Sequence, residues 1–141
     1  MMPTPTMTGI HHVRVPVSDI AQSRVFWADV LGYVWDFDFP GEDGPIATAL
    51  RHLAGGPNVV LWLDPARARA SSGFVLFGIG LPTATAIERL REELDLRGIP
   101  HGEMQGAFVD VKLPFVETPD GHLISFYVKP SPGSVAPAAR D

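Results

Sequence analysis

The sequence runs twice through the same order of secondary-structure signals, and this internal repeat limits the fold more strongly than any other feature. In each half an alternating apolar strand precedes an amphipathic helix, a glycine ends that helix, and further strands follow between Gly/Pro-rich turns. The helix-ending glycines, Gly32 and Gly98, are 66 residues apart. The pattern predicts an α+β fold of two βαβββ repeats, repeat one at about 9–70 and repeat two at about 71–128.

The starts of both helices carry capping signals. Asp19 precedes the first helix, with Gln22 three residues later, and Asp is among the residues that cap helices best. Thr85 and Glu88 form a T-x-x-E capping box at the second helix, in which hydroxyl and carboxylate both accept from backbone N–H groups. These signals place one helix directly after the first strand of each repeat.

The two ends of the chain differ in composition from the region between them. Residues 1–8 are rich in Pro and Thr, and residues 129–141 are rich in Pro, Ala and Ser, so both are expected to be flexible tails. The intervening region, 9–128, is expected to fold as a single domain, since 45% of the chain is hydrophobic and 19% is charged.

Composition also argues against several classes of partner. The net charge of −5 and the lack of a basic stripe argue against nucleic acid. No apolar run reaches the roughly 18 residues of a membrane span, and no signal peptide is visible. The absence of cysteine removes disulfides and thiolate chemistry. We therefore expect a cytoplasmic protein that binds neither nucleic acid nor membrane.

Two segments carry a family resemblance: the opening HHVRVPVSDIAQSRVFWADVLGY and the ending ETPDGHLISFY. They resemble the first repeat, and the final turn and strand, of the vicinal-oxygen-chelate superfamily. That superfamily includes glyoxalase I, extradiol dioxygenases, fosfomycin-modifying enzymes and bleomycin-binding resistance proteins. The resemblance covers about 9–128 and implies that each repeat curls into a half-barrel cup. It also implies that two chains pair as a homodimer.

The resemblance further implies a divalent metal ion whose ligands project from the first and fourth strands of each repeat. Carried over by position, these places fall on His12, about Leu61, near Phe74 and near Ser125. A single imidazole cannot hold a divalent ion without further N or O donors, and apolar neighbours would make its desolvation costly. We therefore predict that the chain binds no metal and needs no cofactor.

Strand alternation predicts which side chains line the cup. His12 and Arg14 share one face of the first strand, and Val60 and Trp62 are expected to pack beneath the helices instead. The predicted cup is mostly apolar with a few polar groups, as is usual in small-molecule pockets. The residues predicted to contact a ligand are His12, Arg14, Phe37, Phe39, Leu61, Phe74, Leu76, Asp110, Ser125 and Tyr127.

Arg14 is the most informative polar residue of the predicted cup. A buried guanidinium needs a carboxylate partner or an anionic ligand, because an unpaired charge is costly to desolvate. Three aspartates are candidate partners: Asp36, Asp38 and Asp110. The register of the second strand stays open, and in the other register its aromatic side chains face the cup and offer stacking surfaces. Those side chains are Trp35, Phe37 and Phe39.

Three other histidines are assigned no role in the site. His11 is expected on the strand face opposite His12. His101 is expected to be solvated in a loop, and His122, which follows the PDG turn, is expected to have a structural role at the hairpin.

Three functions are compatible with such a site. We predict a metal-independent binding protein of the glyoxalase/bleomycin-resistance type, with a hydrophobic or aromatic, natural-product-like ligand. The alternative is a metal-independent isomerase, cyclase or lyase, in which His12 is the general acid/base and Arg14 stabilises developing negative charge. The third is a metal-dependent lyase or dioxygenase. The sequence leaves open whether the small molecule is bound or converted.

Overall fold

A computed structural model of the chain describes residues 4–107 and 110–130. The chain divides into two compact units, with the boundary between Ala70 and Ser71. The boundary predicted between the two sequence repeats, at about residues 70 and 71, falls at the same point. The tails predicted at 1–8 and 129–141 extend beyond the described residues, and the assignment of 9–128 to a single domain stays a prediction.

The first unit has the strand–helix–three-strand order of the predicted repeat, followed by a short helix. Its elements are β1 (His12–Val17), α1 (Ile20–Asp29), β2 (Tyr33–Gly41), β3 (Gly44–His52), β4 (Asn58–Leu63) and α2 (Pro65–Ala70). The four strands form one sheet in the order β1-β4-β3-β2. β1 runs parallel to β4, and the other neighbouring strands are antiparallel.

The second unit has a smaller sheet and one helix. Its elements are β5 (Val75–Leu81), α3 (Ala84–Leu96), β6 (Lys112–Glu117) and β7 (Leu123–Val128). The strand order is β5-β7-β6, with β5 parallel and β6 antiparallel to β7. The combination of two small sheets with helices confirms the predicted α+β class.

The second unit differs from the predicted repeat in the strand expected at about 106–113. Within the described residues, that stretch holds no strand before β6, and the preceding segment lies along β6 instead. The backbone N–H of Gly102 donates to the carbonyl oxygen of Pro114 at 2.8 Å, and Gln105 forms an isolated bridge with Lys112. Gly106 has a φ of +79°, which breaks the extended conformation. Residues 108 and 109 lie outside the described residues.

The caps of the two longer helices agree with the sequence in one case only. Asp19 caps α1, since its carboxylate accepts the N–H of Gln22 at 2.9 Å. The cap of α3 is Thr83 rather than Thr85, and its hydroxyl accepts the N–H of Ala86 at 3.1 Å. Thr83 has the extended backbone that a cap requires, so the helix begins two residues earlier than predicted. No described helix is long and apolar enough to cross a membrane.

The core of the first unit lies between α1 and one face of its sheet. Helix α1 buries Phe26 and Trp27. The covered face carries Val15 and Leu61, which are register partners in the parallel pair, and Thr48, the partner of Leu61 in β3. All of these side chains are buried, so this face forms the apolar interior of the unit.

The register places Leu61 in this core and not in the predicted ligand cup. Val15 pairs with Leu61, whereas Arg14 pairs with Val60. Paired residues on neighbouring strands point to the same face, so Val60 and Trp62 share the face of Arg14. Alternation along one strand separates its two faces, but only the pairing between strands determines which faces coincide.

Helix α3 buries Ile87 and Leu94 in the second unit. The strands of this unit bury a matching apolar set, in which register partners on β6 and β7 point to one face. That set consists of Leu113, Val116, Ile124 and Phe126.

Replacing Leu61 with alanine is expected to lower the free energy of unfolding by about 2–5 kcal/mol, because it leaves a cavity in the core. The matched change Leu63→Ala lies on the same strand, at a side chain that is 41% exposed. That change is expected to cost about 1 kcal/mol or less. Urea unfolding followed by circular dichroism measures both variants, and equal losses would contradict the core placement of Leu61.

Candidate functional site

The face of the first sheet opposite α1 carries a series of aromatic side chains. Two rows of register partners cross it, one from Arg14 to Phe37 and one from Trp62 to Phe39. We call this surface the aromatic face. It consists of Arg14, Phe37, Phe39, Ala47, Ala49, Val60 and Trp62.

The rings of the aromatic face contact one another in sequence. The ring centroids of Phe37 and Phe39 are 5.1 Å apart, and those of Phe39 and Trp62 are 6.4 Å apart. Phe39 and Trp62 pack on a buried floor of two alanines and a valine. Phe37 is 46% exposed, so one end of the series is open to solvent. These spacings are those of favourable tilted or offset aromatic pairs.

A β-bulge at Asp36 decides which aromatic side chains of β2 reach this face. Trp35 and Phe37 pair with successive residues of β3, so one extra residue lies between them. The two rings therefore point to opposite faces, although they are two residues apart in sequence. This settles the register that the sequence left open: Phe37 and Phe39 lie on the aromatic face, and Trp35 lies on the α1 side.

Asp38, a predicted partner of Arg14, also lies on the α1 side of the sheet. Its carboxylate accepts the indole N–H of Trp35 at 2.9 Å and lies 3.7 Å from the guanidinium of Arg24. The hydrogen bond from Trp35 is the largest cause that lowers the pKa of Asp38. Asp36 is the exposed bulge residue. The carboxylate of Asp38 is thus engaged by Arg24 and not by Arg14.

The guanidinium of Arg14 is stacked on the ring of Trp62. Its Cζ atom lies 4.7 Å from the ring centroid. Arg14 is exposed, and in the part of the chain that the structure describes it forms no ion pair with a carboxylate. A guanidinium stacked in this way can still direct N–H donors from its edge towards an anionic group.

His12 lies at the start of β1, two residues before Arg14 and on the same face. Its Nδ1 atom is 2.9 Å from Nδ1 of His11, with the two rings inclined at 82°. One of the two nitrogens must carry a proton and the other a lone pair. The expected placement of His11 on the opposite strand face is wrong, because His11 precedes the strand and does not follow its alternation.

A shallow cleft lies on the α1 side of the first unit. Its lining residues are Arg24, Val25, Ala28, Asp29, Tyr33, Trp35 and Leu50. Burial raises the pKa of the Tyr33 phenol, so that group stays protonated. Arg24 already pairs with Asp38 and lies over the ring of Trp35. The aromatic face is the better candidate site, because its cation has no carboxylate partner among the described residues.

The second unit presents Tyr127 to solvent but not Ser125. The ring of Tyr127 lies over Gly78, where a β-carbon would come within 2.7 Å of it. Ser125 is buried, and its hydroxyl oxygen accepts the backbone N–H of Phe115 at 3.2 Å. Of these two predicted ligand contacts, Tyr127 is accessible and Ser125 supports the backbone.

A bulge at Leu76 shifts the alternation predicted for the start of β5. Val75 and Phe77 pair with successive residues of β7, which leaves Leu76 without a register partner. Val75 was expected beneath the helices, but it is exposed and shares the face of Leu123. Three predicted ligand contacts of this unit remain: Leu76 is half-buried, and Phe74 and Asp110 are exposed.

Sequence comparison assigns the chain to a family. The family described as the Glyoxalase/Bleomycin resistance protein/Dioxygenase superfamily matches residues 9–126. The chain belongs to this superfamily. No curated protein matches the chain in sequence.

Solved structures of low sequence identity share the fold of this superfamily member. TnmS3, an antibiotic binding protein from Streptomyces sp. CB03234, has a TM-score of 0.71 at 19% identity, covering 91% of this chain and 100% of its own. The fosfomycin resistance protein FosX from Listeria monocytogenes has a TM-score of 0.71 at 9% identity, covering 88% and 95%. Lactoylglutathione lyase from Agrobacterium tumefaciens has a TM-score of 0.66 at 13% identity, covering 88% and 96%. These likenesses show the fold alone.

The metal ion implied for this superfamily does not fit the donors at the corresponding positions. His12 pairs in register with Asn58 of β4, and Val60 and Trp62 follow on the same face. These side chains offer a divalent ion one imidazole, one amide and apolar surface, and the adjacent His11 adds a second imidazole but no carboxylate. The hydroxyl of Ser125 is bonded to the backbone. Within 4–107 and 110–130, no three His, Asp or Glu residues are grouped to hold a metal ion.

The sequence interpretation did not assign four residues to the aromatic face: Ala47, Ala49, Val60 and Trp62. Trp62 and Val60 were expected beneath the helices, and Ala47 and Ala49 were assigned no role. The sequence does contain a signal for this surface. The small residues Ala47 and Ala49 alternate in IATALRH, and the larger residues Val60 and Trp62 alternate in NVVLWL. The signal becomes readable only with the register of β3 on β4.

His122 is buried in the second unit, in keeping with the structural role expected for it. Its Nε2 atom lies 2.8 Å from the hydroxyl oxygen of Ser71, and its backbone N–H donates to the hydroxyl oxygen of Thr118 at 3.2 Å. Burial lowers the pKa of the His122 imidazole, because the charged form is poorly solvated there.

His101 is partly buried and bonded, and is not the solvated loop residue that the sequence suggested. Its Nε2 atom is 2.6 Å from a carboxylate oxygen of Asp95, and its Nδ1 atom is 2.7 Å from the carbonyl oxygen of Gly102. A ring that donates from both nitrogens is an imidazolium. Burial alone would lower the pKa of His101, but the hydrogen bonds to Gly102 and Asp95 outweigh it and raise the pKa.

The two histidines are expected to give opposite pH dependences of stability. With its lowered pKa, His122 contributes stability that is complete above the unfolded value of 6.5 and is lost as the pH falls through the folded pKa. With its raised pKa, His101 contributes stability that is complete below 6.5 and is lost as the pH rises through the folded pKa.

Urea unfolding between about pH 5 and pH 8 measures these contributions. His122→Asn is expected to reduce the loss of stability on acidification relative to wild type. His101→Asn is expected to reduce the loss on going to higher pH. Identical pH profiles for the wild type and both variants would rule out the assignment.

Proposed function

We propose that this superfamily member is a metal-independent protein that binds a hydrophobic or aromatic, natural-product-like small molecule on its aromatic face. The observation that carries the proposal is the partly exposed ring series Phe37, Phe39 and Trp62, with the guanidinium of Arg14 stacked at its end.

The floor of the aromatic face favours a planar ligand. Ala47 and Ala49 project only methyl groups between the rings, and both are buried with Val60. Phe39 and Trp62 cover this floor, so a flat molecule would contact the rings and not the alanines. Stacking of this kind contributes about 0.5–1.5 kcal/mol for each aromatic pair beyond the burial of apolar area.

Arg14 favours a ligand that also carries a negative group. Its charge lies over Trp62, and it forms no ion pair with a carboxylate in the described part of the chain. A carboxylate, sulfonate or phosphate can accept two parallel N–H bonds from a guanidinium edge. An anionic group at one end of an aromatic ligand thus matches the arrangement of charge and rings.

The similar structures support a binding role without deciding it. One is described as an antibiotic binding protein and another as a fosfomycin resistance protein, whereas a third is a lactoylglutathione lyase. The donor chemistry next to His12 supports metal independence, because Asn58, Val60 and Trp62 provide neither carboxylate nor imidazole and the adjacent His11 adds only one imidazole.

We also propose that two copies pair and that the protein acts in the cytoplasm. The first unit leaves Ile46 of β3 and Leu63 of β4 exposed, and a second copy would cover such apolar side chains. Sedimentation velocity tests the pairing, since a species of one chain mass, 15.3 kDa, would contradict it.

The dye 1-anilinonaphthalene-8-sulfonate (ANS) is a suitable probe, because it combines an aromatic ring system with one negative charge. Trp62→Ala is expected to weaken ANS binding roughly tenfold in a fluorescence titration, since it removes one stacking surface. The matched control is Trp35→Ala, which removes the same side-chain type from the α1 side. That control should bind ANS within about twofold of wild type.

The neutral analogue N-phenyl-1-naphthylamine separates stacking from charge. Arg14→Gln is expected to weaken binding of ANS but to leave binding of the analogue unchanged. Equal effects of Trp62→Ala and Trp35→Ala, or no effect of either, would contradict a binding site on the aromatic face.

A second candidate function is a metal-independent isomerase, cyclase or lyase. The contact between the Nδ1 atoms of His11 and His12 favours it, because it gives His12 a neighbour for proton exchange beside Arg14. Under the binding proposal, His12→Gln should bind ANS within about twofold of wild type.

Turnover distinguishes the two functions. With methylglyoxal, glutathione and a chelator, neither the wild type nor His12→Gln is expected to form lactoylglutathione. Turnover by the wild type that His12→Gln loses would replace the binding proposal with the enzymatic one.

A further inference from the structure

Phe115 in β6 has an unusual backbone conformation. Its φ is +59°, and among the described residues it is the one non-glycine residue with a positive φ. A β-carbon in the left-handed region lies close to the neighbouring carbonyl oxygen, which makes that conformation unfavourable for a bulky residue. A phenylalanine here lowers stability in comparison with glycine.

The strained residue lies in a β-bulge. Leu113 pairs with Phe126 and Val116 pairs with Ile124, so Pro114 and Phe115 together oppose a single residue of β7. In bulges that place a residue in the left-handed region, glycine is the usual occupant. Phenylalanine therefore takes a position where the backbone favours a residue without a side chain.

The bulge turns the Phe115 ring out of the core. Its ring is 48% exposed, whereas Leu113 and Val116 on either side of the bulge are wholly buried. Without the extra residue, Leu113 and Phe115 would point to the same face. The inner part of the ring lies beside Gly102, where a β-carbon would come 3.4 Å from Cδ2. The ring therefore packs beside Gly102 on one side and is open to solvent on the other.

Ser125 holds this conformation in place. Its hydroxyl oxygen accepts the Phe115 N–H at 3.2 Å, and Ser125 itself is buried on the neighbouring strand. The hydrogen bond satisfies a backbone donor that the bulge removes from the strand ladder. On the same strand as Ser125, Tyr127 is a further exposed aromatic residue of this unit.

We propose that Phe115 is a specificity-determining residue, whose strained backbone presents its ring to an aromatic ligand at the surface of the second unit. The inference rests on the proposed function and names a second, separate surface that the same class of ligand contacts. Strained residues that the surrounding structure holds in place are concentrated at ligand-binding and active sites. Because about half of Phe115 is exposed, core packing does not explain why a phenylalanine occupies this position.

Titration of the full chain with ANS, followed by amide NMR shifts, tests the inference at separate places. The amides of Ser125 and Tyr127 report on the surface at Phe115, and those of Val60 and Trp62 report on the aromatic face. In Phe115→Ala and Phe115→Gly, the ANS concentration that half-saturates the Ser125 and Tyr127 shifts is expected to rise roughly three- to tenfold.

Thermal unfolding supplies a readout of strain. Phe115→Gly is expected to unfold roughly 2–8 °C above Phe115→Ala, because glycine relieves the left-handed backbone. At Phe74, whose backbone has no positive φ, the alanine variant should be the more stable of the same two changes.

Half-saturation at the wild-type ANS concentration in both Phe115 variants would overturn the inference. Shifts at Val60 and Trp62 would in that case still support binding on the aromatic face. No shift at any of the four amides of the wild type would overturn the proposed function and the inference together. Phe115→Ala unfolding at or above the temperature of Phe115→Gly would refute the strain on which the inference depends.

Discussion

The parallel pairing of β1 with β4 decides how the first unit divides its side chains between interior and surface. With Val15 opposite Leu61, these two side chains are buried on the face that α1 covers. The same register brings Arg14, Val60 and Trp62 together on the other face. A shift of one residue would expose the core and bury the guanidinium, which the cost of desolvating a charge forbids. The aromatic face is therefore a direct consequence of how the core is filled.

Bulges then select the individual rings that reach the surface. The extra residue at Asp36 separates Trp35 from Phe37, and the one beside Pro114 turns Phe115 away from the core. Without these bulges, strict alternation would place Trp35 and Phe37 on one face and would point Phe115 to the same face as Leu113. A bulge changes the face of every residue on one side of it, so a single inserted residue reorganises a surface without altering the sheet order. This is how two similar repeats can present different aromatic side chains at their surfaces.

The polar groups near the aromatic face suit binding better than metal chemistry. The stacked guanidinium has no carboxylate in contact among the described residues, and the His12 imidazole has an amide and apolar side chains as its neighbours across the strands. The histidines with shifted pKa values lie elsewhere, in hydrogen bonds that connect parts of the second unit. Charged and titratable groups thus form hydrogen bonds within the second unit, whereas the guanidinium of Arg14 is stacked on Trp62 at the surface of the first.

The sequence by itself determined the strand–helix–three-strand order of the first repeat, the α+β class, the cap at Asp19 and the superfamily, because these depend on local pattern and on motifs close together in the chain. It also identified Arg14, Phe37 and Phe39 as candidates. Only the tertiary structure decided that Leu61 is core, that Trp62 belongs with Arg14, and that Ser125 supports the backbone of Phe115. Those facts depend on register and bulges, which are set by pairing between distant strands. Alternation within a strand contains no information about its neighbour.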